Sequence, residues 1–429
     1  VYAGGLVFQQ VFGIKELWGI DFFWIAAIGL VVLTALYTIF GGMKSVLYTS
    51  VLQTPILLLG SLIILVLGFK ELGGWDEMMR VCGAVTVNDY GDTMTNLIRS
   101  NDDANFPWLG ALIGSAIIGF WYWCTDQFIV QRVLSGKNEM EARRGTIFGA
   151  YLKLLPVFLF LIPGMIAFAL HQKYIGAGGE GFLPMLANGT ANADAAFPTL
   201  VAKLLPAGVK GLVVCGILAA LMSSLASLFN SSAMLFTIDF YKRFRPETPE
   251  KKLVGIGQVA TVVIVILGIL WIPIMRSVGD VLYTYLQDVQ SVLAPGIAAA
   301  FLLGICWKRT SAQGGMWGLI AGMVIGLTRL GAKVYYSNAG EVADSTFKYL
   351  FYDMNWLFFC GWMFLFCIIV VIVVSLATKA PTAEKIQGLV FGTATKEQKA
   401  ATRASWNHWD IIHTVIILAI TGAFYWYFW

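Results

Sequence analysis

Ala219-Ala220-Leu221-Met222-Ser223-Ser224-Leu225-Ala226-Ser227, followed by Asn230-Ser231-Ser232, sits inside an apolar stretch that runs from Gly211 to Tyr241. The stretch is long enough to cross a bilayer, so these hydroxyls and the carboxamide form a polar ledge at membrane depth. Hydrocarbon offers no water, and each such group must bond to protein, to water or to an ion. Two readings stand. Either small hydroxylated residues let helices pack closely and bond back to their own carbonyls, or the ledge binds something.

Working outward, the whole chain is built like this stretch. It is 58% hydrophobic and 13% charged, with a mean hydropathy of +0.74. That excludes a soluble globular protein and indicates an all-α polytopic membrane protein. Apolar spans are expected near 22 to 41, 45 to 68, 108 to 134, 147 to 172, 207 to 241, 253 to 277, 280 to 308, 312 to 335, 355 to 377 and 410 to 429. With a fragment at 1 to 12 they form one transmembrane domain over 1 to 429. The chain opens on Val1 in what reads as a helix cut mid-way, so further sequence is expected before it. Residues 378 to 409, rich in Ala, Lys, Thr and Glu, read as a cytoplasmic linker with a short surface helix. The six cysteines show neither pairing nor metal spacing and are expected to be free thiols.

Alternate connections carry the Lys and Arg: Lys44, then Lys137, Arg143 and Arg144, then the cluster from Lys242 to Lys252, then Lys308 and Arg309, then Lys379 to Arg403. These ends face the cytoplasm by the positive-inside rule. The opposite connections, near 69 to 106, 173 to 206 and 336 to 354, are longer and rich in acids. They are expected outside, and the outer Asn188-Gly189-Thr190 sequon is a glycosylation acceptor only in a eukaryotic secretory pathway. Topology accounts for the net charge of +4, which requires no nucleic-acid partner. A plasma or inner membrane location follows.

Three further polar clusters interrupt spans. Phe120-Trp121-Tyr122-Trp123-Cys124-Thr125-Asp126-Gln127 puts aromatic faces beside hydrogen-bonding groups, which suits the C–H face and hydroxyl rim of a sugar, or an interfacial aromatic belt. Asp126 is an intramembrane carboxylate, and such groups face a cavity or a partner. Lys153, in Tyr151-Leu152-Lys153-Leu154-Leu155-Pro156, is an intramembrane cation whose stem could also snorkel back to the surface. Tyr283, Gln287 and Gln290 stand at i, i+4 and i+7, on one helical face, ahead of Pro295-Gly296. That pair predicts a break or kink in the helix, and transporter binding sites favour broken helices. The alternative for each Gln is an amide bonded to a neighbouring helix. Tyr37 to Pro55 joins two spans through a Gly41-Gly42 turn.

Taken in order, Gly41-Gly42, Tyr48-Thr49-Ser50 and Gln53; Trp121 to Gln127 with Gln131-Arg132; Tyr151-Leu152-Lys153-Leu154; Leu221-Met222-Ser223-Ser224-Leu225 with Asn230-Ser231; and Phe236-Thr237-Ile238-Asp239 resemble the sodium:solute symporter family, nearest its sodium/glucose cotransporter branch. The resemblance runs from Tyr2 to about Trp307 and more loosely beyond. It implies the LeuT-like inverted-repeat transporter fold, with the first two core helices absent from this chain. It also implies a sodium site made by the Ala220 carbonyl, Ser223 and Ser224, with Ser227 as a weaker ligand. Lys153 and Gln287 would contact sugar hydroxyls, with Asp126 and Gln290 in the same substrate-facing set. Tyr122 would stack on the sugar as the inner gate, Trp123 would back it, and Tyr283 would be the aromatic of the outer gate. Two positions depart from the family pattern: Gly119 replaces an Asn or Thr that contacts sugar, and Ser50 replaces an Asp.

The expected function is sodium-coupled uptake of a monosaccharide such as glucose or galactose, one sodium per sugar, with the sodium ion as cofactor and sugar, sodium and the bilayer as partners. A symporter of a polyol such as myo-inositol is the rival within the class, and a sugar-gated ion-leak sensor the rival outside it. An enzyme is not expected, because His171, His408 and His413 are not spaced with Cys, Asp or Glu as a metal or nucleophile set requires.

Overall fold

The computed structural model of the chain describes residues 2–186, 189–278, 282–339 and 343–428. Within these, the side chains of residues 2, 3, 6, 37, 40–47, 49, 50, 52, 274–278, 282, 284, 285 and 338 lie outside the described set. So do Asn188 of the sequon and the Ser50 hydroxyl.

In chain order the elements are α1 (Tyr2–Phe12), β1 (Glu16–Leu17), β2 (Ile20–Asp21), α2 (Phe22–Leu72), α3 (Trp75–Gly83) and α4 (Trp108–Phe120). A π turn, Trp121–Thr125, leads to α5 (Gln127–Leu134) and α6 (Glu139–Pro156), and a second, Val157–Leu161, to α7 (Ile162–Gly176). Then come α8 (Ala196–Leu204), α9 (Ala207–Met234), a π stretch Leu235–Tyr241, α10 (Lys242–Phe244) and α11 (Glu250–Val278). The rest is α12 (Leu282–Cys306), α13 (Ala312–Asn338), α14 (Thr346–Lys348), a π turn Tyr349–Asp353, α15 (Trp356–Ala377), α16 (Ala383–Ile386), α17 (Lys396–Ala404) and α18 (His408–Tyr427). Among the described residues, nine helices are long and apolar enough to cross a membrane. Over 22 to 41, where a tenth span was expected, α2 is helical and its apolar stretch Phe22–Leu36 runs up to the edge of the described side chains, so the length of that span lies partly outside the described residues. The linker carries α16 and the capped surface helix α17. All six cysteines are free.

Contacts divide the chain into two compact units, described separately. The first comprises Val1–Thr86, Thr93–Thr95 and Leu152–Leu282. Its entry is set by a hairpin: Trp18 and Gly19 take positive φ of 56° and 75°, the geometry a two-residue turn needs. Asp21 then caps α2, accepting from Phe23 N at 3.0 Å and from Gln9 Nε2 at 2.9 Å. The core gathers Ile64 and Leu72 of α2, Met78 and Cys82 of α3, Ile166 and Leu170 of α7, Leu200 of α8 and Val213 of α9.

α2 remains helical through Gly41-Gly42, but its contacts show that it is not straight. Gly216 of α9 packs on Ile56 and Leu57, whereas Leu30, Val31 and Ala35 pack with Leu225 and Phe229. A straight helix would put Val31 and Leu57 roughly 39 Å apart at 1.5 Å per residue, twice the span from Gly216 to Phe229. Ile39 belongs with the second cluster, and its carbonyl accepts from Gln258 Nε2 at 3.3 Å. The axis therefore turns back between Ile39 and Ile56, the stretch that holds the glycine pair.

The second unit comprises Val87–Asp92, Asn96–Tyr151 and Tyr283–Trp429. Here α12, α13, α15 and α4 share a core of small residues: Ala294 and Ala298 with Ile117, Ile118 and Cys360, and Val292 and Ala299 with Met363 and Cys367. Two expectations are corrected in this unit. α12 is continuous across Pro295-Gly296, so of the break or kink expected there a break is absent. Gly296 is instead a packing residue: a Cβ on Gly322 would come within 2.9 Å of the Gly296 Cα. The break falls in the span read as continuous, 108 to 134, where the π turn ends at Asp126 in extended conformation (φ −72°, ψ 120°).

Candidate functional site

The broken span explains how its polar residues are held. In the π turn, Asp126 N donates to Trp121 O at 3.0 Å and Thr125 Oγ1 donates to the same carbonyl at 2.8 Å. Asp126 then caps α5, its Oδ1 accepting from Phe128 N at 3.0 Å. The sequence-based reading of Asp126 as a group facing a cavity therefore meets a structural use for one of its oxygens. Tyr122 is half-buried and Trp123 is 49% exposed, their rings edge to face at 5.1 Å. That is the geometry of one aromatic supporting another.

On α12 the i, i+4 spacing is realised: Gln287 Nε2 donates to the Tyr283 hydroxyl at 2.8 Å. The amide's other end is different. Gln287 Oε1 is buried and accepts no hydrogen bond, and a buried acceptor left unpaired costs about 1–3 kcal/mol. Gln290 is half-buried on the same helix. Tyr283 is exposed and stacks obliquely on Phe106 at 6.4 Å, and Phe106 meets Trp356 edge to face at 6.2 Å. Phe106 is set by the loop before α4, where buried Asp103 accepts from Phe106 N at 2.7 Å and Asn105 N at 2.9 Å. Burial alone would raise the Asp103 pKa, but these bonds, with Asn88 and Arg99, hold it below the usual carboxylate value. A depressed carboxylate pKa stabilises the loop at pH above its unfolded value, and that contribution is lost as the pH falls through the lowered one.

Sequence reasoning missed the cluster just behind this face. Asp288 pairs with Lys333 Nζ, and its Oδ1 stands 3.6 Å from Arg329 Nη2. Arg329 is fully buried, lies 4.0 Å over the Phe359 ring, and donates to Met354 O at 2.8 Å and Leu350 O at 3.4 Å. One carboxylate between two cations thus ties the turn carrying Gln287 to α13 and α15. The signal was legible, since Asp288, Arg329 and Lys333 are charges inside apolar spans.

In the first unit the ledge lies on α9, an unbroken helix, where Ala220, Ser223 and Ser224 at i, i+3 and i+4 share a face. Ser223 is buried, Ala220 half-buried and Ser224 exposed. Part of the ledge is used by its own helix: Ser227 Oγ donates to Ser223 O at 2.9 Å, and Ser231 Oγ to Leu228 O at 3.0 Å. Lys153 is exposed on α6, one turn before Pro156 and the second π turn. Lys153 and the ledge thus belong to the first unit, and the aromatic turn and the α12 face to the second. Among the described residues no His, Cys, Asp and Glu cluster could hold a metal. A sodium site would instead draw on hydroxyl and carbonyl oxygens such as those of α9, the hard donors alkali cations take.

A family model described as the sodium:solute symporter family matches residues 1–322. The chain is 34% identical to the sodium/mannose cotransporter of Bos taurus, over all of this chain and 74% of that protein. It is 35% identical to sodium/myo-inositol cotransporter 2 of Homo sapiens, over 92% of this chain and 59% of that one. With sodium/glucose cotransporter 1 of Ovis aries the identity is 37%, over 87% and 58%. The chain thus spans under three fifths of the length of the last two. The solved structure of a Na+-coupled sialic acid symporter, substrate-bound and outward-open, matches with a TM-score of 0.65 over 89% of this chain and 74% of that one, at 20% identity. That likeness shows the shared fold, the LeuT-like architecture implied by the sequence motifs.

Proposed function

The chain belongs to the sodium:solute symporter family, and from that premise we propose that it couples inward sodium movement to uptake of a monosaccharide of the glucose or galactose kind, by alternating access around a site at mid-membrane depth. The observation that carries the sugar reading is Gln287, whose carboxamide is oriented by Tyr283 while its oxygen, buried and unpaired, awaits a donor such as a sugar hydroxyl. Lys153 supplies a second polar contact, Tyr122 the stacking face with Trp123 behind it, and Tyr283 the outer gate. Gln290 and the second oxygen of Asp126 extend the polar rim. Replacing Gln287→Leu is expected to weaken sugar binding by about 1–3 kcal/mol, the cost of one unpaired buried group. Unchanged apparent affinity for every transported sugar would remove Gln287 from the site.

Sodium is the proposed coupling ion, held by the Ala220 carbonyl and the Ser223 and Ser224 hydroxyls. Ser223→Ala and Ser224→Ala should raise the sodium concentration needed for half-maximal uptake while the protein stays folded. Loss of thermal stability with intact sodium dependence would make the ledge a packing device. We propose one sodium per sugar, because Ser50 carries no charge, Ala226 carries no oxygen, and Ser227 already bonds back to its helix. Each further sodium would add about 2.3 kcal/mol per 100 mV to the driving force. Reversal potentials in proteoliposomes at several imposed sodium gradients measure the ratio, and a value of two would refute this assignment.

The near-equal identity to mannose, myo-inositol and glucose cotransporters favours a second reading, a polyol substrate. Sodium-dependent uptake across a panel of hexoses and inositols decides between them. Counterflow of labelled solute in sealed vesicles separates both from a sensor, which would pass current without exchange.

A further inference from the structure

In the second unit a cavity of about 720 Å³ opens between the start of α6 and the start of α18. Its inner wall is polar, with Glu139, Arg143, Trp406 and Asp410, and its outer wall is apolar, with Ile147, Ile411 and Val415. The two walls lie in the order in which a bilayer changes from headgroup to acyl chain. Ile411 and Val415 are 51% and 58% exposed, and of the nine candidate spans α18 has the smallest share of its apolar window buried by protein, 6%. Trp406 and Trp409 mark the interface level.

The charges in the cavity are mixed and only partly answered. Asp410 is occupied: its carboxylate accepts from Asn407 N at 2.8 Å and lies 3.9 Å from Arg144 Nε. Arg143 reaches Ser405 Oγ at 3.2 Å with one Nη, while its Nε is buried without a hydrogen-bond partner. Glu139, one helical turn away, is exposed and forms no ion pair among the described residues. Arg403 covers one face of the Trp406 ring at 4.0 Å, so that face is already taken by a cation.

We propose that this groove seats one glycerophospholipid with an ethanolamine headgroup. The phosphate lies on Arg143, the primary ammonium donates to Glu139, and an acyl chain runs along Ile147, Ile411 and Val415. A guanidinium and a carboxylate at i and i+4 stand about 5–6 Å apart at their Cβ atoms, a separation that the phosphate and ammonium of one phosphoethanolamine can bridge. Choline offers no N–H to Glu139, and a purely anionic headgroup would face two carboxylates.

The test is fluorescence quenching of the full chain in phosphatidylcholine vesicles doped with lipids brominated on the acyl chains. Subtracting Trp406→Phe from wild type isolates the groove tryptophan. Brominated phosphatidylethanolamine should quench that component with roughly tenfold preference over brominated phosphatidylcholine, the fold-change of one charge-assisted hydrogen bond. Glu139→Gln, a surface change that leaves folding intact, should abolish the preference, and Arg143→Gln should weaken both lipids. Equal quenching by the two lipids, stronger quenching by phosphatidylglycerol, or a preference that survives Glu139→Gln would each overturn the proposal.

Discussion

α12 at Pro295-Gly296 and the span from Trp108 to Leu134 are opposite outcomes of one question, where a membrane helix gives way. The first contains the two residues least favourable to a helix interior, together costing an isolated helix roughly 4 kcal/mol, and it stays helical. The second has no Pro between 108 and 134, and it stops at Asp126. The difference is what surrounds each. Around Pro295, Ala294 and Ala298 are fully buried and Gly296 meets Gly322 backbone to backbone, so close packing offsets the local penalty. At Asp126 the groups freed by the break are answered locally, by the Trp121 carbonyl and by the cap on Phe128 N. A helix breaks in a membrane where its loose backbone groups find partners, not simply where its residues are poor helix formers.

Adding bulk at the α12–α13 crossing should have the largest effect. Gly322→Leu forces a side chain into the Gly296 backbone and is expected to cost about 3 kcal/mol, read as a lowered thermal midpoint in detergent. Gly331→Leu, on the same helix with no neighbour within 4 Å of its would-be Cβ, should be neutral or mildly stabilising. Equal losses at the two sites would mean that the crossing is not what keeps α12 continuous.

At the break, Asp126→Ala removes the cap and should cost about 1 kcal/mol, whereas Asp126→Ser, which can still cap, should restore most of it. Uptake measured on both variants sharpens the contrast. If the Ser variant is stable but inactive, the free oxygen of Asp126 serves substrate. If stability and uptake recover together, Asp126 is chiefly a cap.

The smallest change is expected from Pro295→Ala. It restores a backbone N–H and its helical hydrogen bond but returns freedom to the unfolded chain, and the two should leave stability within about 1 kcal/mol of wild type. A gain of several kcal/mol would show that Pro295 strains the helix, and the contrast with Asp126 would then lose half its basis.

Sequence alone determined the class of molecule and most of the positions to inspect. Apolar runs of bilayer length, alternating basic loops and the polar ledge on α9 are local properties, so they survive translation into one dimension. The i, i+4 pairing of Tyr283 with Gln287 was equally legible, because helical spacing fixes which side chains are neighbours. What only the tertiary structure decided depends on partners far apart in the chain. The Asp288 cluster draws on α13 and α15. The reversal of α2 shows only in which parts of α9 its two halves touch, and the fate of Pro295-Gly296 turned on a glycine on the next helix. Propensity and spacing are one-body and short-range quantities, whereas a buried charge, a close crossing or a helix end is settled by whether another segment arrives to satisfy it.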